Sequence, residues 1–328
     1  MTAEILGLGA HIPEKIVTNE ELASTVDTSD EWIRSHTGIG KRHIIAEDKT
    51  TSDMAVGASL KAIEKAGIDK DEIGMIILAT ASGDYSTFPS TACVVQHKLD
   101  IKNAAAMDLS AGCTGFVYGL EVARSMILAR TQKKVLVIGV EALSRITNWK
   151  DRDTCVLFGD GAGAAVLGLN ESGDGRGILD SFLGAEGDGY MHLMRKAGGA
   201  MHPFHVGEYD EEDLYISMNG RRVYGFAVRV NETIIKTLLK NNDLTVDDLT
   251  RIVPHQANLR IIQAAAKRLD IPMEKFFVIM EEYANTSAAS IPIALNAMIE
   301  RGELKKGDLI LTAGFGAGLT YGGNLIRW

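Results

Sequence analysis

The sequence predicts an α/β protein built from two similar halves, and three observations support this prediction. Short apolar runs alternate with helical stretches along the whole 328-residue chain. The runs are continuously apolar, which is typical of strands that are buried on both faces of a sheet. The same order of motifs then occurs twice, which indicates an internal duplication.

Eight apolar runs are the predicted strands, four in each half of the chain. A helical stretch separates most neighbouring runs, as expected for a sheet with helices on its faces. The runs are MIILATA (75–81), AAAMDL (104–109), KVLVIGVE (134–141), GAAVLGL (163–169), RIVPHQA (251–257), FFVIM (276–280), DLILTAG (308–314) and GGNLIRW (322–328).

The duplication is clearest around two polar residues that each follow a predicted strand and precede a helix. After Cys113 the next strand begins 22 residues later, at Val135, and after Asn285 it begins 24 residues later, at Leu309. A pseudo-twofold arrangement would bring Cys113 and Asn285 to a shared centre. Because the polar, glycine-rich stretch ESGDGRG separates the two motif sets, we predict an N-terminal half and a C-terminal half.

Two further motif pairs fall at similar offsets. MIILAT at 75–80 matches IVPHQA at 252–257, and FGDGAGAAVLG at 158–168 matches FGAGLTYGGNLI at 315–326. We place the boundary so that the halves are residues 1–173 and 174–328.

Composition excludes several classes of function. The net charge of −9 argues against a general nucleic-acid-binding protein, because a phosphate backbone would be repelled. The longest apolar runs are too short to cross a bilayer, and the first 15 residues lack the basic-then-apolar pattern of a signal peptide. We therefore expect a cytoplasmic protein with neither a nucleic-acid nor a membrane partner.

No metal site is expected. The widely spaced cysteines form no CxxC pair, which indicates a reducing compartment. They are Cys93, Cys113 and Cys155. Three histidines in a glycine-rich, charged segment have no partner at helical spacing and are predicted to be loop residues exposed to solvent. They are His192, His202 and His205.

Cys113 is the candidate nucleophile. It stands where an apolar strand meets a glycine-broken turn, at the predicted first turn of the following helix. The unpaired N–H groups and the positive end of the helix dipole there favour thiolate over thiol and can bind an oxyanion. Two later segments supply His255 and Asn285, and cysteine, histidine and asparagine form one set for covalent acyl chemistry.

Two other interpretations of this set stay open on the residues alone. A papain-type hydrolase also uses cysteine, histidine and asparagine, although its signature around the cysteine is unlike AGCTGF. A non-catalytic acyl-binding module would carry a vestigial cysteine, although all three polar residues are present in this chain.

The chain resembles β-ketoacyl-acyl-carrier-protein synthase III, a thiolase-fold family that starts fatty-acid synthesis in bacteria and plastids. The resemblance covers essentially the whole chain. It rests on TSDEWIRSHTGI (28–39), DLSAGCTGF (108–116), FGDGAGAAVL (158–167), VPHQANLRII (253–262), NTSAASIP (285–292) and FGAGLTYGG (315–323). It implies a thiolase-like fold, in which two duplicated βαβ-containing halves form a five-layered αβαβα core.

The resemblance also implies the reaction. A homodimer would take an acyl group from coenzyme A onto Cys113 and condense it with malonyl-acyl-carrier protein, with coenzyme A thioesters as substrates and no further cofactor. His255 and Asn285 would be neutral donors to the enolate that forms when malonyl thioester loses carbon dioxide. Asn258 and the Ser287 hydroxyl would orient this pair. The alternative is a related thiolase-fold condensing enzyme of secondary metabolism or long-chain acyl joining.

Two backbone N–H groups are the predicted oxyanion donors. One belongs to Cys113, and by resemblance the other belongs to Ala317, in a turn at 314–318 whose glycines let the backbone approach closely. Many family members have glycine at this second position, so Ala317 constrains φ there.

The resemblance places coenzyme A against one aromatic and several polar residues. Trp32 and Arg152 match the pair that stacks on adenine, through stacking and cation–π attraction. Asn258 is the further predicted coenzyme A contact. His36 replaces an arginine that contacts the nucleotide phosphates, and a neutral histidine supplies no fixed charge there.

Two phenylalanines are the predicted acyl-pocket residues. Phe88, in STFPS at 86–90, matches the family segment that crosses the dimer interface, and it would close the pocket of the neighbouring subunit. Phe315 is the second. The length of the primer does not follow from the sequence, because each methylene contributes only about 0.8 kcal/mol of burial.

Docking of the acidic carrier protein requires cations. Arg260, Lys267 and Arg268 lie on the predicted helix after His255, and positions 260 and 267 share one face. We expect the carrier protein to dock on this basic helix face.

Overall fold

The structure is a computed structural model that describes residues 1–204 and 210–328. Within these residues the strands are β1 (Ala3–His11), β2 (Lys15–Thr18), β3 (Lys41–Ile44), β4 (Met75–Ala79), β5 (Ala105–Leu109), β6 (Lys134–Glu141), β7 (Gly161–Leu169), β8 (Gly177–Ala185), β9 (Leu193–Arg195), β10 (Ile216–Met218), β11 (Arg251–Pro254), β12 (Leu309–Gly316) and β13 (Thr320–Arg327). The α-helices are α1 (Asn19–Ala23), α2 (Asp30–Thr37), α3 (Thr51–Ala66), α4 (Thr91–Lys98), α5 (Gly115–Leu128), α6 (Arg152–Cys155), α7 (Gly220–Asn241), α8 (Leu259–Leu269), α9 (Met280–Tyr283) and α10 (Ser290–Glu300).

One large sheet carries both halves of the chain. Its strand order is β11-β12-β13-β8-β1-β7-β6-β4-β5. The two sets of strands meet where β1 and β8 pair, through Ala3 and Ile178. On each side of this junction a central strand pairs parallel with one neighbour and antiparallel with the other. These central strands are β6 and β12.

Helices cover and separate the two sets of strands. Helices α3 and α4 pack on the outer face of the β1-to-β5 set, and α7 packs on the outer face of β8, β12 and β13. Helix α5 contacts strands of both sets, and α10 contacts β1, β7 and β11. Helix α10 is buried along nine of its 11 residues and α5 along seven of its 14, which suits their place between the two sets of strands. This layering is the predicted αβαβα arrangement.

Seven of the eight predicted runs contain a strand, and FFVIM is the exception. Only Phe276 forms a bridge, with Ile252, because a 3₁₀ turn precedes it and α9 begins at Met280. The run is buried and apolar as predicted, but the chain turns before a strand can extend.

Two strands at the centre of the sheet, β1 and β8, were not predicted. Strand β1 has the sequence AEILGLGAH, and its two glycines interrupt the apolar pattern that predicts a strand. Gly7 and Gly9 lie against the backbone of α3, where a Cβ would collide with Ala62 and Ala58. The glycines therefore permit close helix-to-strand packing.

The segment between β7 and β8 contains the predicted boundary. It includes Gly173, which has φ +71°, and Asn170, whose side chain bonds to Ser172 and Asp174. The division at residues 173 and 174 itself stays a prediction. No helix among the described residues is both long and apolar enough to cross a membrane.

Candidate active site

Cys113 lies in a tight turn between β5 and α5. The strand ends at Leu109, a 3₁₀ turn spans Gly112–Thr114, and the α-helix begins only at Gly115. Gly112 adopts φ +53°, a conformation that residues with a side chain rarely adopt. The cysteine therefore precedes the α-helix instead of occupying its first turn.

The loop after β12 packs directly on this turn. A Cβ at Gly316 would lie 2.5 Å from the backbone nitrogen of Cys113, and a Cβ at Gly112 would lie 2.8 Å from the backbone nitrogen of Ala317. The two predicted oxyanion donors therefore belong to neighbouring backbone segments. The φ of Ala317 is not positive, whereas Gly318 takes φ +131°, so alanine is accommodated without strain.

The pKa of the Cys113 thiol lies above its ordinary value. Burial raises its pKa to about 12, and the Glu141 carboxylate raises it as well. Hydrogen bonds with the Ser287 hydroxyl and with the cysteine's own N–H lower it without reversing the effect. The expectation that the helix terminus supplies a thiolate is therefore wrong. A base must take the thiol proton when the sulfur attacks.

His255 is a buried, neutral ring at the end of β11. It is 1% exposed, and its Nδ1 lies 2.7 Å from the Ser290 hydroxyl oxygen. That oxygen also accepts the N–H of Gln256 at 3.4 Å, so its proton is available to Nδ1 and the ring proton is left on Nε2. Burial lowers the pKa of His255 to about 3, so at neutral pH the ring donates without carrying charge.

Asn285 stands on the loop that leads into α10. Its backbone N–H donates to Leu157 and its carbonyl accepts from Gly159, both at 3.0 Å. Its side-chain oxygen accepts the backbone N–H of Ser287 at 2.9 Å. With the oxygen occupied, the amide N–H groups remain as donors for the cavity that Asn285 lines.

The prediction that Asn258 orients this pair is wrong. Its side-chain oxygen accepts the N–H of Arg260 at 2.8 Å and caps α8, and its amide donates to the carbonyl of His36 at 3.1 Å. Asn258 therefore holds α8 against α2. Its short polar side chain at a helix start fits this capping role.

Ser287 and Ser290 divide the orienting role differently from the prediction. The backbone of Ser287, not its hydroxyl, holds Asn285, because the hydroxyl donates to Glu141 at 2.9 Å. Ser290 holds His255 and was not predicted. The only signal for Ser290 was its position at the start of the apolar helix.

One cavity of about 420 Å³ brings the three predicted reactive residues together. Cys113, His255 and Asn285 all line it. It extends outward to Trp32 and Asn258, two of the predicted coenzyme A residues. The arrangement is a thiol facing two neutral donors, with a channel to the surface.

A smaller, mainly apolar cavity of about 100 Å³ lies on another side of the same thiol. Gly112, Cys113 and Ser287 form its polar end. Its apolar wall was not predicted, because the residues are scattered over four segments without a motif. They include Leu143, Ile146, Phe158, Leu193 and Ile216.

The two predicted acyl-pocket phenylalanines lie apart. Phe315 lines the larger cavity, outside the smaller one, and its ring packs edge-on against His255 with centroids 5.1 Å apart. Phe88 lines neither cavity beside Cys113 and is 84% exposed. Within one chain Phe88 is therefore a large aromatic ring left in solvent.

The predicted adenine-binding residues are already in contact with one another. The guanidinium carbon of Arg152 lies 5.1 Å from the centre of the Trp32 ring. His36 stacks on the same ring, with centroids 4.3 Å apart and an interplanar angle of 15°. Because each stacked contact needs about 3.5 Å, a base fits between Trp32 and Arg152 only if the arginine moves outward.

The three predicted cations on α8 differ in their bonding partners. Arg260 donates to the carbonyl of Ser35 at 3.0 Å, and Arg268 lies 3.7 Å from Glu232. Lys267 has no ion pair within the described ranges.

Two further arginines, Arg221 and Arg222, line a cleft of about 640 Å³ on α7, and Arg221 also lines the Cys113 cavity. Sequence reasoning missed these two. The pair Arg-Arg directly after Gly220 was the available signal.

Two of the three predicted loop histidines lie among the residues that the structure describes. His192 ends a 3₁₀ turn, and its carbonyl accepts the N–H of Asn219. His202 is exposed, and His205 lies outside the described residues. Among the residues that the structure describes, no cluster of three or more His, Cys, Asp or Glu side chains is placed to hold a metal.

The comparisons with known proteins agree on one family. A family model described as 3-oxoacyl-[acyl-carrier-protein (ACP)] synthase III matches residues 107–187, and the model of its C-terminal part matches residues 239–328. A β-ketoacyl-[acyl-carrier-protein] synthase III of Caldanaerobacter subterraneus subsp. tengcongensis is 50% identical over 329 residues, which cover 100% of this chain and 98% of the relative. The protein of the same name in Clostridium acetobutylicum is 47% identical over 330 residues, covering 100% and 99%.

A solved structure shows the same fold. The 3-oxoacyl-[acyl-carrier-protein] synthase III of Aquifex aeolicus VF5 superposes with a TM-score of 0.90 and 44% sequence identity, covering 99% of this chain and 100% of that chain. The papain-type interpretation is excluded by this fold. The chain therefore belongs to the β-ketoacyl-acyl-carrier-protein synthase III family of thiolase-fold condensing enzymes, the acyltransferases that carry out the initiating condensation of fatty-acid synthesis.

Proposed function

We propose that this chain condenses an acyl-coenzyme A primer with malonyl-acyl-carrier protein, in two half-reactions that meet at Cys113. The observation that carries the proposal is the single cavity in which the thiol faces two neutral donors, His255 and Asn285. A thiol alone would serve many reactions. Two uncharged donors beside it are suited to a developing enolate.

In the first half-reaction the Cys113 sulfur attacks the thioester carbon of the primer. The carbonyl oxygen becomes an oxyanion, and the N–H groups of Cys113 and Ala317 stabilise it. When the tetrahedral intermediate collapses, the bond to the sulfur of coenzyme A breaks. The acyl group stays on Cys113 as a thioester, and coenzyme A leaves and takes a proton from solvent.

In the second half-reaction malonyl-acyl-carrier protein occupies the same cavity. Its carbon–carboxylate bond breaks, carbon dioxide leaves, and the electron pair forms an enolate whose oxygen accepts hydrogen bonds from His255 Nε2 and the Asn285 amide. The enolate carbon then attacks the acyl-Cys113 thioester. The products are 3-oxoacyl-carrier protein and the free cysteine.

Coenzyme A enters past Trp32 in this proposal. The adenine displaces Arg152 from the Trp32 ring and takes its place in the stack. Asn258 lies at the cavity wall between this entrance and Cys113. His36 already covers the opposite face of Trp32, so it holds the ring and contributes no fixed phosphate-binding charge.

A second copy of the chain completes the acyl pocket. Phe88 and Tyr85, three residues apart in one loop, are 84% and 56% exposed, and this exposure supports an interface at the loop. We assign Phe88 to the pocket of the neighbouring copy. With the apolar cavity of about 100 Å³ as the primer site, short acyl groups are the expected primers.

The carrier protein docks beside the entrance. Arg221 and Arg222 line cavities on α7, and Arg260 bonds to Ser35 on the helix that carries Trp32. Lys267 lies two turns along α8 from Arg260. These cations form a local basic surface on a chain whose net charge is −9. A local basic patch is what an acidic partner requires. The alternative, a related condensing enzyme of secondary metabolism or long-chain acyl joining, has less support, because the relatives at 47–50% identity carry the name of the fatty-acid enzyme.

The test is a labelling and condensation assay with a matched cysteine control. Radiolabelled acyl-coenzyme A is expected to label Cys113, and malonyl-carrier protein is expected to convert the label to 3-oxoacyl product. Cys113→Ala should lose both steps, and Cys93→Ala, at an exposed position, should keep both. Substantial condensation by Cys113→Ala would overturn the proposal. Comparing kcat/KM among primers then gives the acyl preference.

A further inference from the structure

Glu141 is a buried carboxyl group for which the two half-reactions above have no use. It ends β6, is 0% exposed, and lies behind the turn that carries Cys113. Its charge raises the pKa of the Cys113 thiol, so the two groups lie within electrostatic range of each other. A fully buried carboxyl group needs bonds that satisfy it, and it costs stability without them.

Four groups satisfy the Glu141 carboxyl. The hydroxyls of Thr80, Ser82 and Ser287 and the backbone N–H of Ala81 all bond to it. The Ser82 oxygen accepts the N–H of Ala142, and the Thr80 oxygen accepts the N–H of Ser82, so both hydroxyls are left to donate to Glu141. These bonds lower the pKa of Glu141 against the effect of burial and so favour its ionised form.

Ser287 stands between this carboxylate and the thiol. Its hydroxyl oxygen lies 2.9 Å from Glu141 Oε1, and the residue lines the same small cavity as Cys113. Hydrogen bonding by this hydroxyl lowers the pKa of the Cys113 thiol. One hydroxyl has one proton, so it donates either to the carboxylate or to the sulfur. In the first case it accepts from the S–H group, and in the second it stabilises a thiolate. The three groups therefore have two hydrogen-bonded arrangements that differ by the transfer of a proton.

The Ser287 backbone is held where this bridge requires it. Its φ is +47°, a conformation that costs energy for a residue with a side chain. The bond from its N–H to Asn285 and the bond from its hydroxyl to Glu141 together fix it there. Ala284, in the same loop, also has a positive φ, of +56°.

We propose that Ser287 and Glu141 form a proton relay that takes the thiol proton of Cys113 during acylation and returns it after condensation. The relay depends on the proposed function and explains how its nucleophile, Cys113, loses its proton. Cys113 and Ser287 would contact the reacting atoms or exchange protons with them directly. Glu141 acts through Ser287 and is a positioning and proton-accepting residue.

Over one catalytic cycle the relay returns to Cys113 the proton that it takes from it. As the sulfur bonds to the primer carbonyl, the S–H proton passes to the Ser287 oxygen and the Ser287 proton passes to Glu141 Oε1. The acyl-enzyme stage then carries a neutral Glu141. When the enolate attacks and the Cys113 thiolate leaves, Glu141 gives its proton back to Ser287 and Ser287 gives one to the sulfur.

His255 is unsuited to this task. Its Nδ1 is engaged by Ser290, and a ring that must donate to the enolate from Nε2 cannot also hold the thiol proton there. The relay leaves His255 neutral in both half-reactions. Burial also raises the pKa of Glu141, which makes its carboxylate a stronger base than an exposed one.

The experiment compares Glu141→Gln with wild type, with Asp160→Asn as the matched control. Asp160 is also buried, at 1% exposed, and accepts bonds from Ile45 and Ser144 away from the thiol. The measurements are the rate of acyl-Cys113 formation from pH 6.5 to 9, by intact-protein mass spectrometry, and carbon dioxide release from malonyl-carrier protein.

Wild type and Asp160→Asn should acylate at a rate that changes little over this pH range. Glu141→Gln should be slower by about 10²-fold near neutral pH, which is typical of a lost general base, and should gain about tenfold per pH unit as solvent makes the thiolate. Its carbon dioxide release should persist, because His255 and Asn285 are intact. Glu141→Asp should recover part of the rate.

Ser287→Ala is the second variant and keeps the backbone N–H that holds Asn285. It should repeat the acylation defect and its pH slope. If Glu141→Gln or Ser287→Ala acylates at the wild-type rate with the wild-type pH profile, the relay is overturned while the proposed function stands. If both steps fall equally in Glu141→Gln, its role is structural and the relay is also overturned. If wild type never acylates Cys113, the proposed function itself fails.

Discussion

The backbone N–H of Ser287 donates to the side-chain oxygen of Asn285 at 2.9 Å, and this bond decides which end of the amide faces the substrate cavity. With the oxygen held, only N–H donors are left for an enolate. The hydroxyl of the same serine reaches Glu141 on the other side. One residue thus links the donor of the second half-reaction to the proposed base of the first.

Gly316→Ala should damage acylation. A Cβ at this position would lie 2.5 Å from the backbone nitrogen of Cys113, so the turn must shift and the oxyanion donors with it. We expect the rate of acyl-enzyme formation to fall by about 10²-fold, as for loss of one oxyanion donor. The control is Gly225→Ala on α7, where a Cβ meets no atom within 4 Å. Wild-type acylation by Gly316→Ala would contradict the close packing of the two loops.

His255 should make the fold less stable in mild acid. Its folded pKa of about 3 lies below the ordinary value of 6.5, so the unfolded chain binds a proton that the folded chain refuses. Stability is therefore lost as the pH falls through 6.5, by about 2 kcal/mol between pH 7 and 5. Urea unfolding at the two pH values should show that His255→Gln loses about this much less than wild type. Equal losses would show that the ring is protonated in the folded protein.

Phe88→Ala should lengthen the accepted primer. In the proposed dimer this ring closes the acyl pocket of the neighbouring copy, so its removal extends the cavity. The ratio of kcat/KM for longer over shorter acyl-coenzyme A primers should rise, with little change in the acylation of the shortest primer. Met201→Ala, at another exposed apolar side chain, is the control. An unchanged ratio, or a dimer structure with Phe88 far from the neighbouring Cys113, would refute this placement.

Charge reversal at Arg260 and Lys267 should weaken the use of malonyl-carrier protein but not of acyl-coenzyme A. The double Glu variant should raise KM for malonyl-carrier protein, because only the carrier is a large acidic partner. The first half-reaction with acyl-coenzyme A should change little. Lys102→Glu, an exposed lysine between α4 and β5, is the control and should affect neither substrate. Equal damage to both substrates by the double variant would argue against a docking patch.

The sequence predicted the reactive residues better than their environment. Cys113 and Asn285 were identifiable because each lies among small residues shortly before an apolar helix, and the fold brings both to one cavity. The prediction of a Cys113 thiolate was wrong. The cysteine lies in a 3₁₀ turn, and its thiol is buried because this turn packs against the loop at Gly316, which no local pattern shows.

Other misses have the same physical origin. Strand β1 was missed because its glycines serve contact with α3, which no local pattern records. FFVIM has the composition of a strand, but the 3₁₀ turn before it and α9 after it leave room only for the Phe276 bridge. Glu141 and Ser290 carry no motif. The role of Glu141 appears only when β6 meets the turn at Ser287, and that of Ser290 when α10 meets His255 at the end of β11.

The central claim is that acylation and decarboxylation use different residues of one cavity. His255→Ala and Asn285→Ala test it directly, with trapped acyl-enzyme measured by mass spectrometry and carbon dioxide release measured from malonyl-carrier protein. Both variants should still acylate Cys113 and should lose decarboxylation by about 10²–10³-fold, the usual cost of removing one donor to an oxyanion. If His255→Ala instead lost acylation as severely as decarboxylation, histidine would be the base for the thiol, and this division of labour would be wrong.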